Sequence, residues 1–156
     1  MKTILLTQDQ VALVDNEDFS NLSKYSWCVS KHRNTSYAQT WKNGKSVRMH
    51  QLIMGKKTGF EIDHINNNGL DNRKKNLRFA THSQNLANAR IRKRQASSYR
   101  GVYYSKEKKK WRVLIGIDYS IKFVGYFKTQ EEAALAYNKK AKEIFGEFAC
   151  LNPVIK

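Results

Sequence analysis

Apolar and aromatic positions in the first 57 residues fall in short runs with a period of two. Tyr25, Trp27 and Val29 alternate with their neighbours, and Tyr37, Gln39 and Trp41 share the same spacing. Side chains two apart lie on one face of a strand, so this region reads as short strands. Asn43-Gly44 sits between residues 37–41 and 45–49, a signal for a type I′ hairpin. A short apolar stretch, residues 50–54, precedes Gly55. Residues 60–65 then read as a strand, Asn66-Asn67-Asn68-Gly69 as a loop, and residues 76–80 as a second short strand. Thr81 and Gln84 form a capping-box pattern that opens a helix, continued by Leu86, Ala89 and residues 90–94.

The remainder has its own rhythm. Residues 99–104, 111–117 and 122–127 read as three strands of a meander, separated by short turns. Thr129 and Glu132 make a second capping box. Ala134, Tyr137, Ala141, Ile144 and Phe145 recur at helical spacing, giving one apolar face to lay on that sheet. Gly146 is placed to end the helix. The expected fold class is therefore α+β, in two domains: 1–95, with a functional core at about 58–92, and 96–156.

Charge narrows the partners. The chain has 29 Lys and Arg against 13 Asp and Glu, a formal net charge of +16. Such a surplus repels itself in a compact fold and points to an anionic partner. Nucleic acid fits best, because phosphate contacts release counterions and dominate non-specific affinity. A hydrophobic content of 40% is too high for a disordered polycation. Without a long apolar run, signal peptide or lipidation motif, the expected setting is intracellular, in the cytoplasm. Cys28 and Cys150 form no CxxC pair, which excludes a zinc ribbon; two core thiols fit better than one disulfide. No acidic residue separates Asp71 from Glu107. Arg73, Lys74, Lys75, Arg78, Arg90, Arg92, Lys93, Arg94, Arg100 and Lys106 fall between them, as expected of a segment lying along a phosphate backbone.

The chemistry concentrates in Asp63-His64-Ile65-Asn66, Leu70-Asp71-Asn72, Asn76-Leu77-Arg78 and Thr81-His82-Ser83-Gln84-Asn85. Phosphodiester hydrolysis needs an activated nucleophile and neutralisation of phosphate charge. An imidazole with an ordinary pKa near 6.5 can take a proton from water at neutral pH. A hard cation such as Mg²⁺ prefers oxygen ligands and keeps several waters, so one carboxylate and one amide oxygen suffice beside a phosphate. This ordered set resembles the HNH homing endonucleases, whose strand–loop–strand–helix site is the ββα-metal or His-Me finger. The resemblance implies His64 as general base, Asn76 as the catalytic-loop brace, and Asp63 with Asn85 as ligands of one Mg²⁺, with Mn²⁺ able to substitute. Neighbouring strand residues point to opposite faces, so Asp63 and His64 can serve one site only if the strand ends or bends there. His82, in the first turn of the helix, is expected near substrate phosphate. His50 and His32 read as structural or solvated.

Ser98-Tyr99-Arg100-Gly101-Val102-Tyr103, Lys110-Trp111-Arg112-Val113, Val124-Gly125-Tyr126-Phe127 and Cys150-Leu151-Asn152 carry a second resemblance, to the plant ethylene-response-factor (APETALA-two) DNA-binding domain. It implies a three-stranded antiparallel sheet packed on one helix and laid in the major groove. Arg100, Tyr103, Lys110, Arg112, Lys122 and Phe123 are the candidate contacts, beside Arg73, Lys74, Arg78, His82, Arg90, Arg92, Lys93 and Arg94 in the first domain and linker. Trp111, Phe127 and Tyr137 read as core. The expected activity is hydrolysis of double-stranded DNA, with the second domain selecting the site. A monomer would nick and a homodimer could cut both strands; both remain open. A non-catalytic DNA-binding regulator is the alternative, and an RNA-binding protein lacks any recognisable RNA-module motif.

Overall fold

The computed structural model describes residues 1–32, 35–89 and 97–154. It divides into two compact units, Met1–Thr81 and His82–Lys156. Helices and several antiparallel sheets share the chain.

The first unit opens with the hairpin β1 (Lys2–Leu5) and β2 (Val11–Val14). Ile4, Ala12 and Val14 are buried while Leu5 and Val11 are exposed, the alternation that a half-buried hairpin requires. Helix α1 (Asn16–Leu22) follows, and the Trp27 indole N–H donates to the Leu22 carbonyl at 2.8 Å, satisfying an orphan acceptor at its end. Strands β3 (Cys28–Lys31), β4 (Ser36–Lys42) and β5 (Lys45–Arg48) form an antiparallel meander. Asn43 and Gly44 both have positive φ, 51° and 71°, as a type I′ turn demands. Helix α2 (Met49–Met54) buries Met49 and His50. A core of Ile4, Leu6, Ala12, Val14, Leu22, Trp27, Ala38 and Met49 joins these pieces. The last hairpin pairs β6 (Glu61–His64) with β7 (Leu77–Ala80). Period-two reading anticipated most of these strands but not α1 or α2. Both helices are under eight residues long and set by packing, not by a long periodic pattern.

The second unit begins with α3 (His82–Asn88) and continues with β8 (Val102–Ser105), β9 (Lys110–Ile117) and β10 (Ser120–Phe127) in the order β10-β9-β8. Helix α4 (Gln130–Phe145) covers one face. Both halves of its capping box form: Glu132 N–H donates to Thr129 Oγ1 at 3.1 Å and Thr129 N–H to Glu132 Oε2 at 3.4 Å. Val102, Val113 and Ile115 pack against Ala133, Ala134, Tyr137, Ala141 and Phe145. Ala87 of α3 belongs to this same core. By its contacts α3 groups with the second compact unit, while the sequence reading drew its domain boundary at 95/96.

Cys28 and Cys150 are free thiols, half-buried rather than core. No helix among the described residues is long and apolar enough to cross a membrane.

Gly101 has a φ of +72°, and a Cβ built there would overlap the Tyr137 ring and the Leu114 carbonyl. Gly101→Ala should lower stability by roughly 2–4 kcal/mol, combining left-handed backbone strain with overpacking. A urea denaturation midpoint unchanged by the substitution would contradict that expectation.

Candidate active site

The loop between β6 and β7 is a closed polar network. Asn76 is its hub: Nδ2 donates to Asn66 Oδ1 at 3.0 Å and to the Asp71 carbonyl at 2.7 Å, and Oδ1 accepts from Asn66 N–H at 3.0 Å. The Asn76 carbonyl accepts from Ile65 N–H at 2.9 Å. Asn66 Nδ2 donates to Asp71 Oδ2 at 2.9 Å, and Arg73 grips the same carboxylate through Nε at 2.7 Å and Nη2 at 2.6 Å. Those Arg73 hydrogen bonds hold the Asp71 carboxyl below its ordinary pKa, against its burial. Neighbouring elements fix the loop from outside. Leu13 N–H donates to the Leu70 carbonyl and Asn72 N–H to the Leu13 carbonyl, both at 2.8 Å. Lys74 N–H donates to Asp15 Oδ2 at 2.8 Å, and Gly69 N–H to Thr35 Oγ1 at 2.9 Å.

Strand β6 ends at His64, and its pairing with β7 runs through both Asp63 and His64. In that ladder Asp63 lies opposite Arg78 and His64 opposite Leu77, and the Asp63 charge acts on the His64 ring. Asp63 accepts from Arg78 Nε at 2.9 Å, with both side chains largely buried. His64 Nε2 contacts Asn72 Oδ1 at 3.4 Å. The His64 ring packs on Tyr37, centroids 5.7 Å apart, and edge-to-face on His50 at 4.9 Å. Tyr37 in turn meets His50 and His32, with the Arg48 guanidinium over its ring at 4.5 Å. Burial pushes the His64 pKa below the ordinary imidazole value; the Asn72 contact, Asp63 and Asp71 pull upward and Arg48 adds to the fall. The shift favours the neutral ring, the form in which a general base starts.

Asn85 and His82 sit on α3, in the second unit; Asn85 is half-buried and His82 stacks on Tyr119 at 5.6 Å with planes 15° apart. Asp63 and Asn85 both offer oxygen, the donor type a hard cation takes. Among the described residues no three His, Cys, Asp or Glu side chains gather as a metal cage. Asp63 or Asn85 alone leaves most of a cation's coordination to water and substrate oxygens.

Several expected DNA contacts are engaged within the protein. Arg73 pairs with Asp71, Arg78 with Asp63, and Lys74 with Glu17 at 2.6 Å and Asp18 at 3.6 Å. Each carboxylate neutralises much of the charge a phosphate would meet. The Arg100 guanidinium donates to three carbonyls at the end of α3 instead of standing on the sheet. Tyr103, Lys110, Arg112 and Phe123 do share the sheet face opposite α4. Arg112 lies over Tyr103 at 5.8 Å, and Tyr126, across from Arg112, joins them. A bulge between Phe123 and Gly125 puts Phe123 and Tyr126, three residues apart, on one face with ring centroids 5.0 Å apart. Strict alternation hides that. Lys122 pairs with buried Ile115 and so belongs to the α4 side of edge strand β10, away from this face. Arg90, Arg92, Lys93 and Arg94 lie outside the described residues.

Sequence reasoning placed Asn66, Asp71 and Asn72 in the patterned segment without giving each a role. It read His50 as structural, where it touches His64. The available signal was the density of Asn and Asp around Gly69, more than one turn needs.

A model of the HNH endonuclease family matches residues 47–87, from β5 to the last turn of α3. The chain is also 35% identical over 151 residues to an uncharacterized HNH endonuclease of Acanthamoeba polyphaga mimivirus, covering 92% of this chain and 75% of the relative. This chain belongs to the HNH endonuclease family. The match to the HNH model includes both the hairpin that carries Asp63 and His64 and the helix that carries Asn85.

Burial, with His64 and Arg48 adding to it, lowers the His50 pKa to about 3. Between that value and the ordinary 6.5, the unfolded chain binds a proton that the folded chain refuses. Stability is therefore greatest above about pH 6.5 and falls as pH drops toward 3. The melting temperature should decline from pH 7.5 to 4.5, and His50→Phe should make the decline shallower. An equally steep decline in the variant would remove His50 as a cause.

Proposed function

We propose that this HNH protein hydrolyses phosphodiester bonds in double-stranded DNA as a homing-type endonuclease, using one divalent cation, Mg²⁺ or Mn²⁺. The observation that carries the reading is His64: a buried neutral imidazole at the end of β6, beside Asp63, on a loop braced by Asn76. His64 takes the proton from the attacking water. Tyr37 and His50 keep its ring in one orientation, and Asn72 contacts Nε2. Asp63 and Asn85 are the oxygen donors for the cation, which when bound supplies charge neutralisation at the scissile phosphate. The strand–loop–strand–helix order of residues 61–88 is compatible with the ββα-metal arrangement expected of the family.

Site selection falls to the C-terminal sheet, by the resemblance to ethylene-response-factor domains. Tyr103, Lys110, Arg112, Phe123 and Tyr126 form its open face, offering charge for phosphate and side chains for base edges. A second reading, a non-catalytic DNA-binding regulator, draws on the Asp63–Arg78 ion pair, which already neutralises the proposed ligand.

Incubation of supercoiled plasmid with Mg²⁺ or Mn²⁺ should yield nicked product with the wild type. His64→Ala should lower the rate by roughly 10²–10⁴-fold, the range for loss of a positioned base. Asp63→Ala should do the same while duplex affinity in EDTA is retained. Tight duplex binding with no cleavage, on DNA containing many sequences, would favour the regulator.

A further inference from the structure

Helix α3 carries Asn85, and its anchorage lies within the C-terminal unit. Ala87 is buried among Val113, Ala134 and Tyr137, and its carbonyl accepts from Cys150 N–H at 3.2 Å. Ser83 Oγ accepts from Asp118 N–H at 3.3 Å. The most extensive tie is Arg100, whose Nη1 donates to the carbonyls of Ala87 at 2.7 Å and Ala89 at 2.9 Å, and whose Nη2 donates to that of Leu86 at 2.5 Å.

This is an unusual load for one side chain, and the physics explains it. The last turn of a helix leaves carbonyls without intrahelical partners and carries the negative end of the helix dipole. A helix of seven residues is too short to hold itself together in water. A guanidinium is a cation with a rigid fork of donors, so it can meet several carbonyls at once. Arg100 is itself held. Its N–H donates to Asn152 Oδ1 at 2.6 Å, and its carbonyl accepts from Asn152 Nδ2 at 3.2 Å. Asn152 is bound in turn to Asn138 of α4: its N–H donates to Asn138 Oδ1 at 2.7 Å and its carbonyl accepts from Asn138 Nδ2 at 2.9 Å. A continuous hydrogen-bonded path thus runs from α4 through Asn152 and Arg100 to the C-terminal turn of α3.

We infer that Arg100 is a positioning residue of the nuclease site, acting by fixing the helix that presents Asn85. The inference rests on the reading of Asn85 as a cation donor. It gives the C-terminal unit a part in catalysis beyond site selection, and it removes Arg100 from the base-reading role that the family resemblance implies.

The test compares full-length wild type, Arg100→Ala, Arg100→Lys and Asn85→Ala. Three measurements are made on each: nicking across a Mn²⁺ titration, duplex affinity in EDTA, and hydrogen–deuterium exchange of the α3 amides. Arg100→Ala should raise the Mn²⁺ concentration for half-activity, or lower the rate, by roughly 10–100-fold, as for loss of a group that orients a ligand. Its α3 amides should exchange faster while its affinity for duplex stays at the wild-type level. Arg100→Lys, with the charge but not the fork, should fall between, and it carries the comparison if Arg100→Ala does not fold. Loss of duplex affinity with unchanged Mn²⁺ dependence and unchanged α3 exchange would overturn the inference and return Arg100 to the DNA. Wild-type nicking by Asn85→Ala would instead remove the donor reading itself, whatever the exchange data report about Arg100.

Discussion

Everything around His64 depends on one constraint: the buried polar groups of the β6–β7 loop must find partners. Residues 65–73 are rich in side-chain amides and hold one carboxylate, and Asp71 and Asn72 are almost fully buried. Each buried polar group left without a partner costs about 1–3 kcal/mol. The Asn76 amide meets this demand by serving Asn66 and Asp71 together, while β2 supplies Leu13 as a backbone partner on the other side. An apolar residue at 76 would strand several groups at once. The N-terminal strands are therefore the wall against which the β6–β7 loop is hydrogen-bonded.

The same burial sets the electrostatics. His50 and His64 face each other in an aromatic pocket with Tyr37, where a second positive charge would be poorly solvated and repelled by Arg48. Both imidazoles are driven toward the neutral form, the state a general base must start from. Asp63 is balanced by Arg78. One two-stranded hairpin thereby carries both an imidazole kept from protonation and a carboxylate held beside a cation.

In the C-terminal unit one meander supports two different surfaces. The α4 side is apolar core, and the open side gathers Arg112 with Tyr103, Phe123 and Tyr126, the last pair brought together by the bulge. Arg100, next to Gly101 in sequence, goes to neither side and secures α3. Gly101, with positive φ and no room for a Cβ, lets the chain pass close over Tyr137.

The sequence by itself determined the local elements with strong periodicity or turn chemistry: the Asn43-Gly44 hairpin, the Thr129 capping box, the three-stranded meander and the strand that ends at His64. It also determined the ordered Asp63, His64, Asn76 and Asn85 pattern. These follow from backbone preferences and spacings that a short window carries. Only the tertiary structure decided which cations are already paired, because Arg73, Lys74, Arg78 and Arg100 look alike in a string and differ only in their neighbours. Tertiary packing likewise decided that His50 lies against His64 and that α3 is grouped with the C-terminal core. Those outcomes depend on contacts between residues far apart in the chain, such as Leu13 with Asn72 and Arg100 with Asn152, which no local pattern encodes.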